Sequence, residues 1–247
     1  MSMTQMKPAR RARRKAGGED GHRAARGVRQ AAARGNGGAD PGLDALAELA
    51  RRDRDIARAW AAVGDPPPRR RPKGFPALIG SIVAQQVSAA SARAIWGRLQ
   101  AAGPLTAERF LALGDGELRA IGFSRQKILY ARGIAEAIGT GELNFRRLHR
   151  MADEAAIEEL VRLKGIGRWT AEIYLLFALQ RLDIWPADDL GLQVGVQRLK
   201  RLERRPGRTE LIEIAEPWRP WRGAAARFLW HYYHVTGRRD DPAPIQG

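Results

Sequence analysis

The chain has 247 residues, 44% of them hydrophobic, with no cysteine and 43 Lys and Arg against 27 Asp and Glu, a formal net charge of +16. That length suffices for one large domain or two closely packed lobes, and the lack of cysteine excludes disulfides, thiol nucleophiles and cysteine-ligated zinc or iron–sulfur clusters. No apolar run approaches the roughly 18 to 20 residues that cross a bilayer and the N-terminus lacks the apolar core of a secretory signal, so the expectation is a soluble cytoplasmic protein, nucleoid-associated if bacterial, whose basic surface attracts a polyanion.

Residues 1–40 hold ten Lys or Arg, three acids and seven glycines with almost no large apolar side chains. Such a segment cannot bury enough surface to offset its ordering entropy, which predicts a disordered basic tail. Residues 41–247 remain basic, with 33 cationic against 24 acidic side chains. From Leu43 the pattern becomes helical: "LDALAELARRDRDIARAW" repeats apolar residues at three and four before "GDPPPRRRPKG" interrupts it. "FPALIGSIVAQQVSAASARAIWGRLQ" reads as one or two closely packed helices. "TAERFLAL", "DGELRAIG" and "SRQKILYARGIAEAIGTG" follow as short helices opened by Thr, Asp or Ser. "DEAAIEELVRL", "RWTAEIYLLFALQ", "DDLGLQVGVQRLKRL", "RTELIEIAEPW" and "WRGAAARFLWHYYHVTG" complete the series, with no strand alternation. The expected fold is all-α, about ten helices joined by short turns.

Between two of these helices lies "LVRLKGIGRWTAEIYLLFAL". Gly165 and Gly167 allow a tight turn that exposes backbone amides, and the next helix presents its positive end at Gly167 to Thr170, an arrangement suited to a DNA phosphate. Lys164 and Arg168 add charge beside it. The whole string, together with "GSIVAQQVSAASARAIWGRL", "LRAIGFSRQKILYARGIAEAI", "WPADDLGLQ" and "AEPWRPWRGAAARFLWHYY", resembles the helix-hairpin-helix DNA glycosylases, and among them the 3-methyladenine DNA glycosylase II type.

The resemblance covers roughly residues 43–240 and implies a two-lobed fold for residues 41–240. One lobe would comprise about 41–103 plus 201–240, the other about 104–200, with residues 241–247 a C-terminal tail. It implies a monomeric enzyme that takes double-stranded DNA with damaged bases, needs no cofactor and has no side-chain metal site. Hairpin backbone carbonyls at Lys164 and Ile166 can hold a monovalent cation in the family. The family's essential aspartate falls on Asp189, which stands 22 residues past Gly167. Asp caps helices well, so the alternative for both Asp188 and Asp189 is a helix N-cap; with the resemblance, Asp189 is assigned the chemistry and Asp188 the cap or a support.

A carboxylate near the anomeric carbon stabilises oxocarbenium character as a base departs and orients or deprotonates a water. In the family's lyase branch a lysine stands where this chain has Trp169, which implies a monofunctional enzyme that hydrolyses the bond and leaves an abasic site. Reaching a base in a duplex requires flipping it into a pocket. Trp230, Trp169, Trp185 and Tyr174 are the candidate pocket residues; Ile173 stands where the family has a pocket tyrosine, with Tyr174 beside it. For Trp169 the alternative is helix packing. Gln86 aligns with the residue that fills the gap in the duplex, the alternative being a solvent-facing glutamine. Leu163, Lys164, Gly165, Ile166, Gly167, Arg168 and Thr170 are the candidate DNA-binding residues of the hairpin. The expected function is excision of alkylated purines of the 3-methyladenine type in base excision repair. The alternatives are a glycosylase for deaminated or oxidised bases, or a helix-hairpin-helix protein that binds DNA without catalysis.

Overall fold

The computed structural model describes residues 40–237, and the tails expected at 1–40 and 241–247 lie essentially outside that range. Within it the chain is all-α, with thirteen helices and no strand. These are α1 (Pro41–Arg52), α2 (Arg54–Val63), α3 (Phe75–Ala84), α4 (Ala89–Ala101), α5 (Ala107–Ala112), α6 (Asp115–Ile121), α7 (Arg125–Gly139), α8 (Phe145–Leu148), α9 (Asp153–Val161), α10 (Arg168–Phe177), α11 (Leu190–Lys200), α12 (Arg208–Ala215) and α13 (Arg222–Thr236). A 3-10 turn, Glu216–Trp218, joins α12 to α13.

The count exceeds the expected ten because two apolar strings are broken by their own polar residues. In the first, Asp53 leaves the helical region and its carboxylate accepts from the amides of Asp55 and Ile56, which ends α1 and caps α2. In the second, Gln86 adopts φ +55° and Ser88 caps α4 by accepting from Ser91 N, so the string forms two helices. The four-residue α8 went unforeseen; Asn144 caps it.

Two helices are buried almost all round, as their composition requires. On α10 every residue from Thr170 to Phe177 is buried, and on α3 so are Phe75, Ala77, Leu78, Ile79, Ile82, Val83 and Ala84. α9 and α10 form the hairpin, α3 lies against α7, α4 and α10, and α5 packs on α7. α13 packs on α11, α1 and α2. α11 and α13 approach closely because Gly195 has no side chain: a Cβ there would lie 3.2 Å from the Leu229 carbonyl oxygen.

These contacts differ from the expected lobes in two places. α3 and α4, assigned to the terminal lobe, pack on the central helices, and α11, assigned to the central lobe, packs on α13. The resemblance implied boundaries near 103 and 200, but helices are sorted by the faces they bury.

Candidate active site

The stretch 183–189 is tied down at both ends. The Arg222 guanidinium grips Asp183 with Nε and Nη2 each 2.9 Å from a carboxylate oxygen, and Arg208 pairs with Asp188. Between them Ile184, Trp185, Pro186 and Ala187 are buried. Asp188 is exposed and Asp189 half-buried. Asp189 is the N-cap of α11: its Oδ1 accepts from Leu192 N at 2.9 Å. The cap assigned to Asp188 is therefore corrected. Asp188 is a support, held by Arg208, and the cap and the chemical candidate are the same residue.

Capping uses only part of the Asp189 carboxylate. Trp230 Nε1, from α13, donates to Oδ1 at 2.8 Å, and Trp169 Nε1, from the first turn of α10, donates to Oδ2 at 2.9 Å. Three helices thus converge on one carboxylate, each through a neutral N–H. Gly191 makes the arrangement possible, since a Cβ there would stand 3.1 Å from Asp189 Oδ1 and 3.2 Å from Trp230 Cδ1. This glycine was missed; its only signal is its place two residues after the aspartate.

Trp230 also lines a cavity of about 210 Å³, shared with Phe177, Gln180, Arg227, Arg69 and Arg70. Phe177 and Trp230 stand 5.5 Å apart, ring centre to ring centre. The other pocket candidates are used elsewhere. Tyr174 is buried, accepts from Gly74 N at 3.1 Å and faces Phe145, so it anchors the start of α3. Trp185 donates to the Leu211 carbonyl at 3.2 Å and packs edge-on against Trp218. Neither lines the cavity beside Trp230: alternate positions around a fully buried helix or loop face different neighbours, and sequence proximity to Asp189 does not choose among them.

In the hairpin, Gly165 has φ +90°, and a Cβ there would lie 2.4 Å from the Tyr130 ring of α7. Its carbonyl accepts from Gln85 Nε2 at 2.9 Å. The residue joining the hairpin to the α3–α4 turn is thus Gln85, while its neighbour Gln86 is exposed at the tip of that turn. Gly167 is exposed with open space around it, and it heads α10 without a side-chain cap. Lys164 is exposed, whereas Leu163 and Ile166 are buried and pin the turn from beneath.

Arg168 and Thr170 depart from their expected role. Thr170 is buried. Arg168 is held by Glu154 through two hydrogen bonds of 2.5 and 2.8 Å and by Glu172 at 3.1 Å, and these acids, Glu154 first, raise its pKa. Its charge is taken up by acids of the hairpin itself, Glu154 in the first turn of α9 and Glu172 one turn along α10. Of the hairpin candidates, Lys164 and Gly167 are the exposed ones. Lys127 donates to the Val83 carbonyl at 2.7 Å and caps the end of α3.

Among the described residues no three His, Cys, Asp or Glu side chains converge as a metal site, and no helix is long and apolar enough to cross a membrane.

Residues 79–220 match the model of the HhH-GPD superfamily of base excision DNA repair proteins. The chain belongs to that superfamily. It is 34% identical over 186 residues to DNA-3-methyladenine glycosylase 1 of Schizosaccharomyces pombe, covering 72% of this chain and 82% of the relative. The solved structure of the 3-methyladenine DNA glycosylase of that yeast in complex with abasic DNA superposes with a TM-score of 0.68, over 76% of this chain and 95% of the other, at 34% identity. A DNA-3-methyladenine glycosidase from Bacillus halodurans superposes with a TM-score of 0.70 at 33% identity, over 78% and 89% of the two chains. The HhH-GPD hairpin of this chain is α9, the turn through Gly165 and Gly167, and α10.

Proposed function

We propose that this protein is a monofunctional DNA glycosylase that hydrolyses the N-glycosidic bond of alkylated purines of the 3-methyladenine type in duplex DNA, leaving an abasic site for base excision repair. The observation that carries the reading is the carboxylate of Asp189, held between the indole N–H groups of Trp169 and Trp230 beside the hairpin that names the family. DNA binding is supported by the relative whose structure contains abasic DNA.

The chemistry follows from the charge that moves. As the bond from C1′ to the base nitrogen breaks, its electron pair leaves with the base and the sugar becomes an oxocarbenium cation. An ionised carboxylate beside C1′ stabilises that cation, and water completes the hydrolysis, with Asp189 orienting it or taking its proton. Neutral donors hold the carboxylate in place without cancelling its charge. An alkylated purine is already cationic and departs as a neutral base, so one aspartate suffices. The side chain bound to Asp189 where a lyase would carry its amine is the indole of Trp169, which has no nucleophilic nitrogen and forms no Schiff base.

For DNA, the turn from Leu163 to Gly167 supplies the phosphate contact through its backbone and Lys164, and Gln86 at the tip of the α3–α4 turn fills the gap left by the flipped base. A left-handed non-glycine residue at an exposed turn is a strained conformation of the kind found at working sites.

The test is base release from methylated duplex DNA. Asp189→Asn is expected to lower the rate at least about a thousandfold while abasic-duplex binding persists. Full activity of Asp189→Asn, or an efficient covalent adduct on borohydride trapping, contradicts the reading.

A further inference from the structure

The cavity beside Trp230 has a chemistry that neither the aspartate nor the hairpin requires. Two aromatic rings, Phe177 and Trp230, form part of its wall, and its charged lining is cationic: Arg69, Arg70 and Arg227 against a single acid, Asp40, among the described residues. Asp40 is itself engaged as the cap of α1, accepting from Gly42 N at 2.9 Å. Arg227 reaches the cavity from α13, three residues before Trp230. Its Nη1 donates to Gln180 Oε1 at 2.9 Å, Nη2 donates to the Leu176 carbonyl, and its guanidinium lies 5.7 Å over the Phe177 ring. Its Nε is buried and has no acceptor. A buried N–H without a partner is unfavourable, so an acceptor placed there is favoured. Burial first, and the neighbouring Arg70, push the pKa of Arg227 down against the pull of Asp40, yet a guanidinium remains charged at neutral pH.

The indole of Trp230 is shared. One side of the residue belongs to this cavity, and its Nε1 holds Asp189 Oδ1. The negative and positive ends of the site are therefore separated by one tryptophan. Taking the protein as the glycosylase argued above, we propose that Arg227 is its leaving-group residue: its guanidinium faces the edge of the extruded base in this cavity and stabilises the electron pair that the base takes with it.

The electron count is the same for every lesion. The C1′–N bond breaks heterolytically, both electrons go to the base nitrogen, the sugar gains one positive charge and the base loses one. Water then adds to C1′ and gives up a proton. A cationic alkylpurine leaves neutral; a neutral lesion leaves as an anion, which takes a proton from solvent. Asp189 favours the charge gained by the sugar, and Arg227 favours the charge change of the base. Measured from free enzyme and DNA, a cationic base gains nothing net, because Arg227 repels it on binding and that repulsion is only relieved as the bond breaks. For a neutral, carbonyl-edged base such as hypoxanthine it stabilises the departing anion, with Arg69 and Arg70 adding to the same field. Neutral lesions therefore depend on Arg227 most.

The experiment measures single-turnover release by the full chain, at enzyme concentrations well below saturation so that the rate refers to free enzyme and DNA, from duplexes carrying 7-methylguanine or hypoxanthine. Arg227→Gln is expected to slow hypoxanthine release by about a hundredfold and 7-methylguanine release by at least about tenfold less than that, with Arg227→Lys recovering most of the difference. A merely structural role slows both lesions alike. Equal losses, no loss, or a wild type that frees 7-methylguanine but no hypoxanthine overturn the proposal; release of neither base defeats the glycosylase reading itself. Should Arg227→Gln fail to fold, Arg70→Gln changes the same field from an exposed side chain. Its expected effect is a severalfold loss on hypoxanthine with 7-methylguanine spared, and an equal effect on the two bases, or none, again overturns the proposal.

Discussion

Glu172 is the buried acid nearest the machinery, three residues along α10 from Trp169 and 3% exposed. Burial raises its pKa to about 7, against the opposing pull of Arg168, and its Oε2 has no hydrogen-bond partner. Between its ordinary value of 4.5 and about 7 the folded protein holds a proton that the unfolded chain has released. Stability from this group is therefore complete below its unfolded pKa and declines as pH rises through the folded one. Glu172→Gln is expected to flatten that decline and to exceed the wild type at pH 8, by on the order of 3 kcal/mol at most, as read by urea denaturation at pH 5 and pH 8. A wild type whose stability rises across that interval contradicts the assignment. Arg168 keeps Glu154 in this variant, so the hairpin helix stays anchored. Asp189 differs in kind: three neutral N–H donors fix its direction without pairing its charge, which suits a carboxylate whose partner is a cation that exists only during reaction.

The hairpin assigns its two glycines different work, although they look equivalent in "KGIG". Gly165 is required by the fold: its positive φ and the Tyr130 ring exclude a side chain. Gly167 is in ordinary extended geometry with open space beside it, at the uncapped head of α10. Gly165→Ala is expected to cost about 2 to 4 kcal/mol, visible as a lowered denaturation midpoint. Gly167→Ala should leave stability within about 0.5 kcal/mol and weaken abasic-duplex binding severalfold, because the added methyl stands where a phosphate approaches the amides. Equal stability losses in the two variants would contradict this division. Other elements are held by similar local means. Asp53 ends one helix, begins the next and accepts from Lys200 Nζ at 2.7 Å and Trp218 Nε1 at 2.8 Å, so a single carboxylate joins α1, α2, the end of α11 and the turn before α13.

At the scale of the molecule, charge and geometry are divided along the chain. Residues 1–38 carry ten of the 43 Lys and Arg, while the residues that converge on Asp189 lie between 169 and 230. Removing residues 1–38, which spares the Asp40 cap, is expected to reduce the slope of log affinity against log salt for undamaged duplex and to leave the base-release rate unchanged; an unaltered slope contradicts a DNA role for the tail. Composition and periodicity determined the all-α class, because helical spacing of apolar residues is a local property, and the resemblance of the whole string around Gly165 and Gly167 to a known family located the hairpin. Asp189 was singled out through the family resemblance, by its place after that hairpin. The sequence could not reveal that Asp189, the candidate acid, also caps α11, that Arg168 pairs with Glu154 and Glu172, or what Tyr174 and Trp185 pack against. Nor could it place Arg227 and Phe177 beside Trp230. Hydrogen-bond partners and buried faces are set by which helices cross, and α10, α11 and α13 meet at Asp189 only after residues dozens of positions apart have buried their apolar faces against one another.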